Sequence, residues 1–510
     1  MFRRIIFGGL ASWLSRAVSI LLGLVLMPVL FRHLSKEELG VWLLLGQSCA
    51  VLGVFDLGFG AVLTRRIAFA VGKNSQDLGD ELPVEAVEEI ADLVATGRRM
   101  YCWLALSAFV VSFSAGWFYL KGLDLRGISM GTVWVAWGVL CLSQALSIWA
   151  AVWTCLLQGV GYVGWDSVLG TLVNSLTLLV QMVLVLFRSG LEGLAFTAAA
   201  GALTQRWLIL RFARRRRAEL FRSAGRWRTE MFRGMLRPAL RAWLTSLGCL
   251  LVANTDQFFI AAHKGASAIP AYRAAFLLVI NLHLLAGVFC APSQVFVSRL
   301  WQAGQLQQIR AILRRNARLG LLAMSCGGGA ILALGPTLFD FWLGPGNFVG
   351  YPVLGIFLGM FALEHHANVF GSCGRATDDE AYAASSIAAG VLKLGLASLL
   401  SLRLGLTGLA LSTLVAQGLT NDWFMVYRSA KRLRIEFATH FREVLVPCLL
   451  IFLAALILGK AAGQLFSEQR LLVRVGTVSL VAGLLLGASV WRLGLDASQR
   501  TRVLQWASFA

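Results

Sequence analysis

Apolar runs, each of about twenty residues, recur along the whole length of this chain, and they constrain its fold more than any other feature. One such run, as a helix, crosses roughly 30 Å of hydrocarbon. Because backbone polar groups find no water inside a bilayer, runs of this kind become helices. The composition agrees, since 58% of the residues are hydrophobic and only 14% are charged, a balance outside that of soluble globular domains. We therefore predict an all-α integral membrane protein.

Charged residues, glycines and prolines bound fourteen such runs. The predicted spans cover residues 6–31, 39–63, 100–120, 130–157, 166–187, 191–210, 238–262, 269–296, 319–342, 351–372, 380–402, 405–427, 445–463 and 471–491. A separate helix is predicted after Pro83, because Val84, Val87, Ile90 and Leu93 recur at helical spacing. The first run lacks a short apolar region that ends in a small-residue cleavage site, so it is interpreted as a spanning helix and not as a signal peptide.

Lys and Arg concentrate on alternate loops, and this bias predicts that both termini are cytoplasmic. The expected location is the inner, or plasma, membrane, crossed many times. The net charge of +20 does not indicate nucleic acid, because the basic residues lie between apolar segments and not on one soluble face. The segment 211–241 alone holds eleven arginines. We interpret it as a topology determinant that also attracts anionic membrane lipids.

A weak internal repeat relates the two halves of the chain. The pattern L-x-G-L-A-x-[T/S] occurs at residues 191–197 and again at 406–412, each time at the start of a span. Repeated bundles are common in transporters. We predict two pseudo-symmetric six-helix bundles plus two C-terminal helices. The predicted parts are an N-terminal bundle 1–210, a basic cytoplasmic linker 211–241, a second bundle 242–430, and a segment 431–510 with two additional transmembrane helices and a cytoplasmic tail.

Ionisable residues at membrane depth are costly, so they are the best functional candidates in this sequence. The basic candidates are Arg16, Arg273 and Lys393, and the acidic candidates are Asp56, Asp256 and Glu364. A planar guanidinium can hold two phosphate oxygens at once, so we assign the basic group to substrate binding. A pair between Arg16 and Asp56, which needs no substrate, is an open alternative.

The acidic candidates, together with His365, are assigned to gating or ion coupling. Histidine titrates near physiological pH and could relay protons. Structural hydrogen bonds to neighbouring helices are an equally open interpretation of Asp256. Residues 364 to 366 point to different faces of a helix, and the nine cysteines show no metal-ligand spacing. We therefore predict no metal, no cofactor and no catalytic residue.

Three segments carry a resemblance to a known family: FDLGFGAVLTRRIA at 55–68, LVANTDQFFIAA at 251–262 and LGLTGLALST at 404–413. With the repeat, they resemble the multidrug/oligosaccharidyl-lipid/polysaccharide exporter superfamily, and within it the polysaccharide (O-antigen-type) flippases. The resemblance implies two bundles around a central cavity that opens alternately to either side. The two extra helices resemble the peptidoglycan-precursor flippases. Those flippases are similar in having cavity arginines on their first and eighth helices, where Arg16 and Arg273 fall.

The function that this resemblance implies is translocation of an undecaprenyl-diphosphate-linked oligosaccharide to the outer leaflet for cell-surface polysaccharide biosynthesis. A polysaccharide polymerase and glycosyltransferases are the expected partner proteins. The alternative is a proton- or sodium-coupled multidrug exporter of the same fold, which would depend on the acidic residues. We expect no enzyme, because the chain has no phosphate-binding glycine loop and no outer loop large enough for a polymerase or ligase domain.

Overall fold

The computed structural model describes residues 2–74, 82–123, 127–287, 290–377, 382–467, 469–494 and 500. The chain divides into two compact units, residues 1–270 (unit 1) and residues 271–510 (unit 2). This division reflects how densely the chain packs, whereas the predicted domain boundaries reflect the sequence repeat and the linker. Those boundaries stay a prediction.

Unit 1 contains ten α-helices among its described residues. They are α1 Phe2–His33, α2 Lys36–Leu52, α3 Phe59–Asn74, α4 Val84–Lys121, α5 Met130–Trp149, α6 Ala151–Gly159, α7 Val163–Leu186, α8 Gly190–Arg216, α9 Thr229–Ala253 and α10 Asp256–Lys264. Short 3₁₀ helices lie at Gly53–Asp56, Ala218–Phe221 and Ala266–Ala268.

Unit 2 also contains ten α-helices among its described residues. Its α-helices are α11 Ile269–Ala286, which starts just before the boundary, α12 Cys290–Gln302, α13 Leu306–Leu334, α14 Pro336–Leu343, α15 Tyr351–Ala376, α16 Ala383–Gln417, α17 Trp423–Arg432, α18 Phe437–His440, α19 Val446–Leu465 and α20 Leu471–Ser489. Three π-helical segments lie at Gly418–Asp422, Phe441–Leu445 and Val490–Gly494.

Within the described ranges, eleven helices are long and apolar enough to cross a membrane, and Ala17–His33 is a shorter apolar helix. Within the described residues, each of the fourteen predicted spans lies mostly on helices. The lower number arises partly because some spans are joined in one helical stretch, as spans eleven and twelve are in Ala383–Arg432, where a kink at Gly405 separates them. The prediction of an all-α, multi-pass membrane protein is confirmed.

The helix predicted after Pro83 is present, but it is not a separate element. It continues without a break into the third span as α4, a helix of 38 residues. No proline interrupts residues 84–121, so nothing in the sequence forces an end. Ile90 and Leu93 are buried in the core of unit 1, whereas Val84 at the first turn is 70% exposed.

The segment between α8 and α9 is shorter than the predicted basic linker 211–241. Helix α8 extends to Arg216, and α9 begins at Thr229. Between them the chain is tied to α4 through Asp92, whose carboxylate accepts from the backbone N–H of Arg226 at 2.6 Å and from the Arg228 guanidinium at 2.7 Å. The linker is therefore hydrogen-bonded to the N-terminal part of α4.

The sequence repeat corresponds to a repeated local structure. Gly190 and Gly405 directly precede the two copies of the motif and have positive φ angles of 62° and 58°. In each copy the Leu-Ala pair that follows the glycine of the motif is buried, at Leu194-Ala195 and at Leu409-Ala410. The sixth span, after Gly190, and the twelfth span, after Gly405, thus each start with a turn at a positive-φ glycine.

The backbone conformation of Gly405 predicts how an alanine there would change stability, and Gly395 of α16 provides the control. Its φ of 58° and ψ of −132° favour glycine, so Gly405→Ala is expected to destabilise the protein by about 1–2 kcal/mol. In Gly395→Ala, the added Cβ meets no atom within 4 Å, and alanine is expected to stabilise the helix by up to about 1 kcal/mol. Thermal unfolding in detergent measures both. An equal effect of the two substitutions would contradict the assigned backbone conformation.

The two C-terminal helices are built into unit 2. Helix α19 packs against α13 where Gly329 faces it: a Cβ on Gly329 would lie 2.7 Å from the Ala455 Cβ and 3.1 Å from the Phe452 carbonyl oxygen. Such close approach is how small residues join membrane helices. The Arg318 guanidinium of α13 adds hydrogen bonds to the carbonyl oxygens of Leu493 at 2.7 Å and Glu443 at 3.0 Å.

Candidate functional site

The three basic candidates occupy different settings. Arg273 lies on α11, half-buried, with its guanidinium carbon 5.1 Å from the centre of the Phe276 ring. Lys393 lies on α16 and is completely buried. Arg16 lies on α1, but its side chain falls outside the described residues, so its proposed pairing with Asp56 stays a hypothesis.

Asp56 is held within unit 1 by local hydrogen bonds. It lies in the 3₁₀ turn that interrupts the second span, and its carboxylate accepts from the Gly60 backbone N–H at 3.0 Å and from the Tyr101 hydroxyl at 2.7 Å. Tyr101 is completely buried, and its hydroxyl also lies 4.0 Å from the Cys155 sulfur. These bonds give Asp56 a structural role in the unit, whether or not it also takes part in gating.

Removing the hydrogen bond between the Tyr101 hydroxyl and Asp56 is expected to lower the stability of the protein measurably. Tyr101→Phe removes the donor and leaves the Asp56 carboxylate oxygen short of one hydrogen bond, at an expected cost of about 1–3 kcal/mol. The matched change Tyr427→Phe alters a ring that is 55% exposed and is expected to be neutral. Thermal unfolding of both variants tests the assignment, which is wrong if Tyr101→Phe is as stable as the parent.

Asp256 begins α10, directly after the break in the seventh span, and is buried. Its neighbours form a chain of amides: the Gln257 side-chain amide donates to the Gln47 oxygen at 3.2 Å, and the Gln47 amide donates in turn to the Asn254 oxygen. Hydrogen bonding at this break therefore connects the second and seventh spans. The assignment of Asp256 to gating or ion coupling is not tested by these contacts and stays a prediction.

Glu364 and His365 are adjacent on α15 but face different surroundings, as expected for consecutive helical residues. The His365 ring packs edge-on against the His283 ring, with centroids 5.8 Å apart, and lies directly over Gly320, where a Cβ would collide with it. Glu364 instead interacts electrostatically with Asp422, the last residue of the π-helical segment Gly418–Asp422. Their roles in coupling stay predictions.

His366 is paired with a second histidine, which the sequence does not predict. Its Nε2 atom lies 3.0 Å from Nε2 of His440, and both rings are buried. One imidazole must donate and the other accept, because two lone pairs or two N–H groups would repel. The pair joins α15 to the short helix α18 that leads into the thirteenth span. No pattern in the sequence marks a contact between residues so far apart in the chain.

Unit 2 has a half-open cavity of about 680 Å³ between α15, α17 and the start of the thirteenth span. Most of its lining is apolar, and three ionisable side chains interrupt it: His366, Asp422 and Lys431. A second cavity of about 450 Å³ adjoins it, since the two share Leu321, Ala362 and Leu445. These cavities, and the placement of Asp422, were also missed.

A signal for Asp422 existed in the repeat. Beyond the shared motif, Thr204-Gln205-Arg206-Trp207 in unit 1 matches Thr420-Asn421-Asp422-Trp423 in unit 2, provided that one extra residue is allowed in unit 2. The π-helix Gly418–Asp422 accommodates that residue, because a π turn is an insertion of one residue into an α-helix. Both tryptophans are 53% exposed, so the match also holds for the direction of the side chains.

The two matched positions carry opposite charges. In unit 1, the Arg206 guanidinium donates to the Thr154 hydroxyl at 2.6 Å and interacts with the Asp166 carboxylate, which itself accepts from the Gln158 amide at 2.7 Å. Unit 1 therefore holds a cation and its counter-ion together. In unit 2 the corresponding residue is the acid Asp422.

No protein-family model matches this sequence, and no curated protein matches it. Solved structures do. The chain is similar to a structure of the lipid II flippase MurJ in an inward closed conformation, with 13% identity and a TM-score of 0.69 over 95% of this chain and 99% of that one. It is also similar to an inward-facing multidrug resistance MATE family transporter of the MOP superfamily, with 13% identity and a TM-score of 0.60 over 84% of this chain and 99% of that one.

A third similar structure is a MOP superfamily transporter from Pyrococcus furiosus, with 12% identity and a TM-score of 0.56 over 85% of this chain and 96% of that one. At such low identity the comparison establishes the fold and not the substrate. The fold is that of the MOP-superfamily transporters, as the sequence resemblance predicted.

Proposed function

We propose that this protein is a flippase that moves an undecaprenyl-diphosphate-linked oligosaccharide from the cytoplasmic to the outer leaflet of the inner membrane by alternating access. The observation that carries the proposal is the similarity to the MurJ structure over 95% of the chain. The MATE structure matches 84%. The MurJ structure thus matches about a tenth more of this chain than the MATE structure does. That difference is about as long as the two C-terminal helices, and this favours the flippase over the drug exporter.

The basic candidates support an anionic substrate. Arg273 is half-buried on a helix that is long and apolar enough to cross a membrane, and ionisable residues on such helices mark sites for substrates or ions. A diphosphate would bind there through charge-assisted hydrogen bonds to the planar guanidinium. In this proposal Arg16 contributes in the same way. Lys393 is completely buried, so it would meet the substrate only in another state of the transport cycle.

The surrounding pathway follows from the substrate. Glycosyltransferases would build the oligosaccharide on its lipid in the cytoplasmic leaflet, and a polymerase would consume it outside. Both termini of the flippase would be cytoplasmic, in accordance with the bias of Lys and Arg in the loops. Energy would come from an ion gradient or from consumption of the product, with Asp56, Asp256, Glu364 and His365 as the residues proposed for gating or ion coupling.

The deciding experiment reconstitutes the full chain in proteoliposomes and follows a fluorescent undecaprenyl-diphosphate oligosaccharide. We expect protein-dependent translocation that empty liposomes lack. The same vesicles, with a proton or sodium gradient imposed, are tested for efflux of a cationic dye. Efflux of the dye without flipping of any of several glycans would replace the flippase by the drug exporter.

A further inference from the structure

We propose that residues 435–446 form a movable strap, which supplies part of the wall of both cavities of unit 2 and opens when its polar contacts with α13 and α15 break. The strap contains the short helix α18 and the π-helical segment that follows it. The proposal concerns movement within unit 2 and does not rest on the identity of the transported saccharide. It follows from how the strap is bounded, how it is held and how little of it is buried.

The chain is anchored on both sides of the strap. Leu433 is completely buried, and its carbonyl oxygen accepts from the Arg310 guanidinium at 2.8 Å. Arg434 then has a positive φ of 51°, which is uncommon for a residue other than glycine. On the other side, Cys448 is buried and its carbonyl oxygen accepts from the Ser325 hydroxyl at 2.8 Å. The strap therefore lies between two fixed points, with an irregular backbone at its start.

Pro447 interrupts the backbone hydrogen bonding at the end of the strap. Proline has no N–H, so the carbonyl oxygen of Glu443, four residues earlier, lacks the partner that it would have in an α-helix. The backbone takes the π pattern just before the proline, at Phe441–Leu445. The Arg318 guanidinium of α13 donates to the Glu443 carbonyl oxygen at 3.0 Å. A side chain from another helix thus supplies the hydrogen bond that Pro447 cannot.

Two further polar contacts hold the strap among the described residues. The Glu443 carboxylate forms an ion pair with Arg314 at 2.7 Å, and these side chains are 41% and 44% exposed. Nε2 of His440 lies 3.0 Å from Nε2 of His366 on α15. An exposed ion pair contributes little to stability, whereas a hydrogen bond to a charged group contributes more than one between neutral groups. We therefore expect the Arg318 bond to be the strongest of the three.

Few residues of the strap are buried. In this segment, which the structure describes in full, only His440 and Val444 are buried. Segments with few buried contacts are those that open locally in a folded protein. The apolar side chains of the strap line the cavities: Ile435 and Phe437 line the larger, Val446 lines the smaller, and Leu445 lines both. Displacement of the strap therefore opens both cavities.

Hydrogen exchange of the full chain in nanodiscs, followed by mass spectrometry of its peptides, tests whether the strap moves by itself. Arg318→Met is expected to speed exchange in residues 435–446 by about 10- to 100-fold, the effect of losing one hydrogen bond to a charged group. Arg314→Met breaks only the exposed ion pair and is expected to change exchange by about fivefold or less. Arg315→Met alters an exposed arginine of the same helix and is expected to leave exchange unchanged.

His366→Phe is the second variant, and it separates the strap from the end of the fourteenth span. Arg318 also donates to the carbonyl oxygen of Leu493, so its loss affects exchange there as well. His366→Phe removes a different contact of the strap. It is expected to speed exchange in the strap by at least about threefold and to leave exchange around Leu493 unchanged.

Thiol labelling tests access to the cavities. Cys448 is buried and lines the smaller cavity, whereas Cys326 is buried on α13 and lines neither. In Arg318→Met, N-ethylmaleimide is expected to label Cys448 at least about tenfold faster than in the parent protein, with no change at Cys326. Peptide mass spectrometry distinguishes the two thiols.

Three results would overturn the proposal: strap exchange that is unchanged in both Arg318→Met and His366→Phe, an equal rise in exchange throughout unit 2, or unchanged labelling of Cys448. The equal rise would mean that the strap opens only when the whole unit loosens. The readouts are exchange and labelling and not transport, so a failure here leaves the flippase proposal standing, and the reverse also holds.

Discussion

Replacing Arg273 by alanine is expected to reduce translocation of the lipid-linked saccharide by about 10- to 100-fold, which is the loss that corresponds to one or two hydrogen bonds between charged groups. Arg273→Lys is expected to recover part of the activity, because it restores the charge but not the planar fork. The measurement is the initial rate of flipping in proteoliposomes that contain equal amounts of folded protein.

Arg403 provides the matched control for this prediction. It is an exposed arginine of the same unit, so Arg403→Ala removes the same charge without touching a buried site. Arg273 also contacts the Phe276 ring, and thermal unfolding of each variant distinguishes a loss of substrate binding from a loss of packing. Wild-type flipping by Arg273→Ala would remove Arg273 from the substrate site.

Gly329→Leu is expected to be the most damaging packing change in unit 2. A Cβ at this position would lie 2.7 Å from the Ala455 Cβ and 3.0 Å from the Leu456 backbone nitrogen, and backbone atoms of a membrane helix cannot move aside cheaply. Overpacking typically costs about 1–3 kcal/mol, and the leucine is much larger than a single methyl group. We expect a marked fall in the unfolding temperature, with separation of α19 from α13.

Gly483→Leu is the control for Gly329→Leu. Gly483 lies on the neighbouring helix α20, and a Cβ there meets no atom within 4 Å. The two variants introduce the same side chain into adjacent C-terminal helices, so their difference isolates the contact with α13. If Gly329→Leu unfolds at the same temperature as Gly483→Leu, the close packing of α19 on α13 is wrong.

The spans and the repeat were predictable because each depends on residues close together in the chain. The bilayer requires runs of a fixed length, and in the described ranges each predicted span lies mostly on helices. The motif copies after Gly190 and Gly405 do start equivalent turns. Where α4 would begin was predictable; that it would continue into the third span was not.

The candidate site was predictable only as a set of separate residues. A charge inside an apolar run marks Glu364 as costly, but the sequence does not say which residue from another helix meets it. That depends on the rotation and depth at which helices pack, which many side chains determine together. Helix packing of this kind brings Asp422 near Glu364, and it brings His366 into hydrogen-bond distance of His440.

The sequence by itself determined that this chain is a multi-pass helical membrane protein with a repeated half, because bilayer thickness and helical backbone bonding act on local runs. Only the tertiary structure shows which charged side chains have hydrogen-bond partners. Asp56 accepts a hydrogen bond from the Tyr101 hydroxyl. Asp422 lines a cavity in unit 2, whereas the matching position of unit 1 is Arg206. The physical reason is that the cost of a buried charge depends on its neighbours in space, and the neighbours come from distant parts of the chain.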